Sequence, residues 1–430
     1  MEPRFYIALF VFLGVYVLIT SERIHRTKVA LLGAVIMVLA GIISQKQAIA
    51  HIDFNTIFLL MGMMILVNII KGTGFFEFIA IKGVKVAKGK PLRILLMFSI
   101  LTAGISALLD NVTTVLLFGP IVLFVADVLG ITAFPFLVAL VMSANIGGMA
   151  TLIGAPPNIM IGSATEFSFL DFIVHMFPIT AIVFAANIGF LWLVFRKKMN
   201  RHKGAEAVRL DASKALKDRK LLWRSLAVLI LTILGFTMHS VLGVQTGVIA
   251  LAGASLMLVL VPGNPLIFFE KIEWNTLFFF GGLFVLVGSL EEVGVIELIF
   301  RWLSGLTTNV GVLSMIFLWV GAVACSFVDN IPFTAMMIPL VTRVSEHLVP
   351  EAVGTADVFL KTMPIWWALA IGVNIGGNGT IIAASPNVVI SGIAEQSGNK
   401  IRFMDYFKYG MASVILSALI GSAYIWIRYL

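Results

Sequence analysis

Residues 145–162 read NIGGMATLIGAPPNIMIG, and residues 374–391 read NIGGNGTIIAASPNVVIS. The two segments align without gaps and are identical at ten of eighteen positions. The matches include Asn, Gly, Thr and Pro in the same order. Two unrelated apolar helices would share Leu and Val, but not this polar pattern. The chain therefore contains an internal duplication.

Other segments extend the duplication over the whole chain. Residues 51–56, HIDFNT, correspond to residues 271–276, KIEWNT, and the Asp-Asn pair at 110–111 corresponds to the pair at 329–330. The offsets between partners are 220 and 219 residues. We therefore predict a first repeat at 1–195 and a second at 225–430, joined by a basic linker at 196–224.

The composition places this duplicated chain in a membrane. Of the 430 residues, 60% are hydrophobic and 12% charged, whereas soluble domains are roughly 25% charged. This balance argues against a soluble enzyme, a disordered chain and a nucleic-acid-binding protein. The one cysteine, Cys325, excludes a disulfide framework and a multi-thiolate metal site.

Long apolar runs predict an all-α polytopic membrane protein. Each repeat is expected to supply five spans and one re-entrant helical hairpin, and the hairpins are predicted at 92–126 and 308–347. The start of the chain is interpreted as a retained first span rather than a signal peptide. Because five is odd, the second repeat must enter from the opposite face, which predicts an inverted-topology repeat.

Positive charge predicts the orientation of the chain. The linker carries eleven Lys and Arg against three acids, which equals the net charge of +8 of the entire chain. With the linker in the cytoplasm, 24 of the 30 basic residues fall on that side. Both termini are then expected on the outer side of the membrane. That membrane is expected to be the inner membrane of a bacterial or archaeal cell.

Two acids, Asp110 and Asp329, are expected at membrane depth, and they are equivalent in the two repeats. A carboxylate there costs about 2.5–3.5 kcal/mol and usually marks an ion or proton pathway. These residues are interpreted as binding a cation, exchanging protons or orienting amides around a substrate. The alternative is that each one caps a hairpin helix, and the two roles are compatible.

The glycine pairs after Asn145 and Asn374 predict breaks in two spans, because irregular backbone at membrane depth needs a cavity or protein around it. An ordinary proline kink is the alternative.

A wall of Asn, Thr, Ser and Gly, with no Lys or Arg expected in the core, favours a small cation or a small neutral hydroxylated solute. Cys325 is interpreted either as a soft ligand for metalloids or, more simply, as packing.

These motifs resemble those of the ion transporter superfamily, in the branch of arsenite efflux permeases, D-type sodium/proton antiporters and the melanosomal P protein. The resemblance covers nearly the whole chain. It implies hairpin tips and broken helices around a central site, a homodimer, and an elevator-type motion of a transport domain against a scaffold. The scaffold would be 1–90 and 225–305, and the transport elements 91–195 and 306–430. The Ser-Asn-Thr tip of dicarboxylate transporters is absent, which argues against carboxylate substrates.

The resemblance also implies the site residues. Asp110 and Asp329 would couple transport to a proton or cation. No catalytic residue, cofactor or structural metal is expected. The predicted substrate-binding residues are Asn111, Thr113, Thr114, Asn145, Gly147, Gly148, Thr151, Asn158, Asn330, Thr334, Asn374, Gly376, Gly377, Asn378, Thr380 and Asn387.

The resemblance implies secondary transport of a small inorganic solute, and export of arsenite or antimonite in exchange for protons is inferred from the family rather than from these residues. A sodium/proton antiporter and an anion channel or transporter of the P-protein type are the alternatives. H⁺ or Na⁺ would be the transported coupling ion. The expected partners are the lipid bilayer, a second copy of the chain and, for an arsenite permease, a cytoplasmic ATPase. No nucleic acid is expected.

Overall fold

The computed structural model describes residues 3–21, 23–87, 90–165, 167–199, 215–350 and 356–430. Throughout these ranges the regular elements are helices. Seven of the helices in this described part are long and apolar enough to cross a membrane, and shorter apolar helices accompany them. The predicted all-helical membrane class is confirmed.

The described part of the first half contains ten helices. They are α1 (Pro3–Thr20), α2 (Arg26–Leu39), α3 (Gln45–Ala50), α4 (Phe54–Gly72), α5 (Phe75–Val86), α6 (Pro91–Ser106), α7 (Asn111–Val128), α8 (Phe134–Gly148), α9 (Pro156–Thr165) and α10 (Phe169–Met199).

The second half repeats this order with one addition, the short helix α18. Its helices are α11 (Arg219–Leu242), α12 (Thr246–Leu260), α13 (Leu266–Phe269), α14 (Trp274–Glu292), α15 (Val295–Ser304), α16 (Val310–Cys325), α17 (Asn330–Leu348), α18 (Ala356–Lys361), α19 (Met363–Gly376), α20 (Ser385–Gln396) and α21 (Phe403–Tyr429).

The halves pack against each other through reciprocal contacts. A Cβ placed on Gly62 of α4 would lie 2.6 Å from the Ala250 carbonyl carbon of α12. The same atom on Gly282 of α14 would lie 2.8 Å from the Ala30 carbonyl carbon of α2. Because glycine lacks a Cβ, each helix pair can approach at backbone distance. The contacts pair equivalent positions, as two-fold-related halves would, and the inverted orientation stays a prediction.

Both predicted hairpins form, as α6 with α7 and as α16 with α17. Their turns are short, at residues 107–110 and 326–329. An aspartate ends each turn and begins the second helix of the hairpin. The tips therefore lie where the sequence predicts them.

The helix breaks lie later than the sequence predicts. Helix α8 continues through Gly148, and α19 continues through Gly376, so the irregular segments are 149–155 and 377–384. The glycines serve instead for close packing. A Cβ on Gly147 would lie 2.5 Å from the Ala103 Cα of α6, and one on Gly376 would lie 2.8 Å from the Ala322 oxygen of α16.

Both ends of the predicted linker, 196–224, are helical. Helix α10 extends to Met199, and α11 begins at Arg219 with Asp218 as its N-cap. Residues 200–214 lie outside the described residues. The end of the linker contacts the first half of the chain: the Lys217 backbone nitrogen donates a hydrogen bond to the Thr73 carbonyl oxygen at 2.9 Å.

Candidate functional site

The two hairpin tips are held by their aspartates. Asp110 Oδ1 accepts a hydrogen bond from the Thr113 backbone nitrogen at 2.9 Å, and Asp329 Oδ1 accepts one from the Ile331 nitrogen at 2.9 Å. Each carboxylate thus satisfies a helix N–H that would otherwise lack an acceptor. The capping role is confirmed for both residues, and it leaves each second carboxylate oxygen available to other groups.

Each helix break is closed by one buried asparagine. In the first break, Asn158 Nδ2 lies 2.8 Å from the Thr151 carbonyl and 3.2 Å from that of Gly148. In the second break, Asn387 Nδ2 lies 2.8 Å from the Thr380 carbonyl and 2.7 Å from that of Gly377. Because a break frees carbonyls from the helix, these amides supply the donors that the backbone has lost.

The asparagines also join the two repeats. Asn145 Nδ2 donates to Asn387 Oδ1 at 3.0 Å, and Asn374 Nδ2 donates to Asn158 Oδ1 at 2.8 Å. Asn145 Nδ2 also lies 3.0 Å from Asn378 Oδ1. All five side chains are buried, at 3% exposure or less. The predicted asparagines therefore form one polar cluster at the contact between the broken helices.

The hairpin tips reach this cluster through hydroxyls and amides. Ser106 Oγ lies 2.6 Å from the amide of Asn111, whose hydrogen-bond pattern points its nitrogen at Ser106 and at the carbonyls of Gly154 and Ala144. Thr380 Oγ1 donates to the Ser326 carbonyl at 2.7 Å. The equivalent Thr151 hydroxyl donates to the Ala107 carbonyl. Each break is thus tied to the tip of its own hairpin.

Some predicted residues contribute to the site only indirectly. The hydroxyls of Thr114 and Thr334 donate to the carbonyls of Asp110 and Asn330, within their own helices. Gly148 provides room, because a Cβ there would lie 3.1 Å from Asn111 Cγ. Gly377 belongs to the cluster through its carbonyl oxygen, which lies 2.7 Å from Asn387 Nδ2 and 3.2 Å from Asn145 Nδ2. Asn330 adjoins it, because its Nδ2 lies 3.6 Å from where a Cβ on Gly377 would be. Thr113 contributes its backbone nitrogen to the Asp110 cap.

Cys325 occupies a packing position. Its side chain is fully buried, and its Cβ lies 2.7 Å from where a Cβ on Gly376 would be. The equivalent residue in the first repeat is Ser106, whose hydroxyl belongs to the polar cluster. Of the two interpretations of this cysteine, packing agrees with the structure.

One central residue was missed. Arg26, at the start of α2, donates from Nη1 to Asp329 Oδ2 at 2.7 Å and to Ser385 Oγ at 2.7 Å. The charge count includes Arg26 among the 24 basic residues predicted on the cytoplasmic side, and the sequence predicts no Lys or Arg in the core. Aligning the repeats gives the signal that could have found it, because the equivalent residue of the second repeat is an uncharged threonine, Thr246.

Glu273 is a further charged residue near the site, and the sequence does not predict it there. It precedes α14, and Thr276 Oγ1 donates to its carboxylate at 3.1 Å. Burial, and after it the charge of Asp110, raise the pKa of Glu273 above its ordinary value, while Arg26 acts in the opposite direction. The first hairpin tip therefore faces a carboxyl group that holds a proton more tightly than a free glutamate.

Two related cavities adjoin the broken helices. One, of about 330 Å³, lies between the α1–α2 turn and α20, and its lining includes His25, Arg26, Asp329 and Ser385. The other, of about 390 Å³, lies between the α11–α12 turn and α9, and its lining includes Thr246. Each cavity lies beside the turn that precedes the second helix of its repeat and beside a broken helix. Of the two, only the first includes a hairpin tip and an arginine among its described lining residues.

Hairpin tips that meet broken helices at a buried polar centre, inside a bundle of membrane-spanning length, define a membrane transporter. The model of the citrate transporter family matches residues 16–372, and the chain belongs to that family. An uncharacterised transporter of Mycobacterium tuberculosis is 41% identical over 429 residues, which cover 98% of each chain. The 46 kDa membrane protein of Mycobacterium leprae is 39% identical, with 99% of each chain covered. The human P protein is 33% identical over 99% of this chain and 60% of its own length.

Proposed function

We propose that the protein is a secondary active transporter that exports arsenite or antimonite in exchange for protons. The observation that carries this proposal is the buried asparagine cluster between the broken helices, made by Asn145, Asn158, Asn374, Asn378 and Asn387. It is polar and uncharged, and it offers amide donors and acceptors at hydrogen-bond distance. Arsenous acid is largely neutral at physiological pH and presents hydroxyl groups that such amides can bind.

An unpartnered donor supports a solute at this cluster. Among the described residues, Asn378 Nδ2 is buried and has no hydrogen-bond partner, although its Oδ1 accepts from Asn145. A buried donor without an acceptor costs about 1–3 kcal/mol. A hydroxylated solute that accepts a hydrogen bond from Asn378 would remove that cost.

Proton coupling is assigned to the first hairpin tip. Glu273 lies near Asp110, and burial together with the Asp110 charge raises the pKa of the Glu273 carboxyl. A proton held at this place would be taken up at one membrane face and released at the other. Transport would follow an elevator-type motion of 91–195 and 306–430 against the remainder, with the linker on the cytoplasmic side.

Anion transport is the second candidate, and Arg26 favours it. Arg26 supplies a cation that the sequence does not predict near the site, because its guanidinium group reaches the second hairpin tip. If Asp329 became neutral, this guanidinium would be a ready partner for an anion. The family's description as citrate transporters agrees with this candidate.

A flux experiment separates these candidates. The purified protein would be reconstituted in liposomes, with uptake of arsenite, sodium, chloride and citrate measured under an imposed pH gradient. The proposal expects arsenite flux that the pH gradient accelerates and that Asp110→Asn uncouples from the gradient. Sodium flux without arsenite flux would favour the antiporter, and chloride or citrate flux alone would favour the anion candidate.

The orientation is tested separately. Cysteine substitutions at Lys46, in the α2–α4 region, and at Lys400, before α21, would be labelled in intact cells with an impermeant maleimide. The proposal expects labelling at position 46 and protection at position 400. The native Cys325 is fully buried and serves as the background. The reverse pattern would contradict the proposed topology.

A further inference from the structure

Arg26 connects three parts of the molecule through one guanidinium group. Its Nη1 donates to Asp329 Oδ2, in the second hairpin tip, and to Ser385 Oγ, at the start of α20, both at 2.7 Å. The guanidinium carbon also lies 5.0 Å from the centre of the Phe279 ring on α14. Helices α2 and α14 belong to the proposed scaffold, whereas the tip and α20 belong to the proposed transport elements.

Among the described residues of the other repeat, no arginine makes this connection. The residue equivalent to Arg26 is Thr246, whose hydroxyl lies 3.4 Å from Asn55 Oδ1. The equivalent of Asp329 is Asp110, which lies near another acid, Glu273. Because the fold of the two halves repeats, packing alone does not require an arginine in one half only. The difference points to a role of Arg26 in one conformation of the transport cycle.

The ion pair is partly buried. The side chains of Arg26 and Asp329 are 27% and 14% exposed. Separating them would leave a poorly solvated carboxylate without its partner, which makes the separation costly. A proton or a sodium ion on Asp329 would neutralise that carboxylate and remove most of this cost.

Several other titratable groups surround Asp329. Tyr16 on α1 and Cys325 on α16 are close enough to interact with it electrostatically. His25, beside Arg26, lines the same cavity, and Glu273 interacts with Arg26. Within the described residues, Arg26 is the cation that forms an ion pair with Asp329.

We propose that Arg26 is a positioning residue that holds the second hairpin tip and α20 on the scaffold until a cation, H⁺ or Na⁺, binds at Asp329. The arginine thereby prevents the empty transport elements from moving. The consequence for transport rests on the proposed function. The contact by which Arg26 holds the tip and α20, here called the latch, can be observed without measuring flux.

Hydrogen–deuterium exchange of the tip amides, residues 326–334, tests the latch. In the wild-type protein in nanodiscs, we expect slow exchange at neutral pH and low sodium. Arg26→Gln should accelerate exchange by about ten- to a hundredfold, as expected for the loss of a charge-assisted contact. Acidification at fixed sodium concentration tests whether a proton binds at Asp329, and addition of sodium at fixed pH tests whether Na⁺ binds there. Exchange of the tip amides should become faster only with the ion that binds.

Matched variants make the result specific. Lys28→Gln removes the same charge from an exposed position two residues further along α2, and it should leave tip exchange unchanged. Arg26→Lys keeps the charge and should restore much of the protection, which also separates the latch from a folding defect. His25→Gln should retain the response to acid, whereas Asp329→Asn should abolish the response to both ions.

Two results would overturn the proposal. One is tip exchange in Arg26→Gln equal to that of the wild type, and the other is an unchanged ion response in Asp329→Asn. If the latch is observed but no arsenite flux is found, the proposed substrate fails and the latch stands. If flux is found but tip exchange in Arg26→Gln equals that of the wild type, the latch fails and the proposed function stands.

Discussion

Replacing Asn158 by alanine should destabilise the protein and abolish transport. The side chain is fully buried. Its Nδ2 lies 2.8–3.2 Å from three carbonyl oxygens, and its Oδ1 accepts a hydrogen bond from Asn374 at 2.8 Å. The substitution removes the amide that closes the first helix break and one of the contacts between the repeats.

The magnitude follows from the number of groups left without a partner. An amide nitrogen carries two hydrogens, so two of the three carbonyls are fully bonded at one time. Alanine would leave these two carbonyls and one hydrogen of Asn374 unsatisfied. At about 1–3 kcal/mol for each of these three buried groups, the loss is about 3–9 kcal/mol, and the lower value applies if water enters the space.

Asn187 provides the matched control. It is equally buried, and its Nδ2 donates to Val183 and Ser417 while its Oδ1 accepts from Ser413. Asn187→Ala therefore loses a similar number of bonds away from the helix breaks. The assay measures the thermal unfolding midpoint in detergent and arsenite flux at a temperature well below both midpoints.

We expect similar losses of stability in the Asn158 and Asn187 variants, with loss of flux only in the former. Equal flux per folded molecule in the two variants would refute the assignment of Asn158 to the site. An unfolding midpoint of Asn158→Ala equal to that of the wild type would refute the stability estimate.

Two further predictions concern packing and pH. Gly147→Ala should lower the free energy of unfolding by about 1–3 kcal/mol, because the new Cβ would meet the Ala103 backbone. Gly104→Ala, in open space on α6, should raise it by about 0.5–1 kcal/mol. Equal unfolding midpoints for the two variants would contradict this prediction. Burial and the charge of Asp110 raise the pKa of Glu273, so the folded protein favours the protonated carboxyl group. The contribution of Glu273 to the stability of the fold is therefore present at low pH and is lost as the pH rises past the ordinary carboxyl range. Glu273→Gln should therefore raise the unfolding midpoint at pH 7 and leave it unchanged near about pH 4, and a midpoint at pH 7 no higher than that of the wild type would show that the pKa is not raised.

Much of the fold could be predicted because duplication and hydrophobicity are properties of the linear chain. The repeated Asp-Asn pairs located both hairpin tips, and the long apolar runs predicted the helical membrane class. Most of the asparagines predicted for the site do lie together. The breaks were misplaced because glycine was interpreted as a helix breaker, whereas Gly147 and Gly376 lie at close helix contacts.

Arg26 shows most clearly what a count of charges along the chain does not reveal. A charge count assigns a residue near a helix end to the membrane surface, since an isolated arginine is most stable in water. The ion pair forms because α2 packs beside a hairpin that is more than 300 residues away in sequence.

The sequence by itself determined that the chain is a duplicated helical membrane protein, with paired hairpin tips and paired breaks rich in asparagine. These features follow from composition and from similarity between the halves. The tertiary structure alone decided which amides face one another, where the backbone leaves the helix, and which aspartate has an arginine as its partner. Those contacts join segments that are distant in the chain, so they depend on packing geometry and burial, which a linear pattern does not contain.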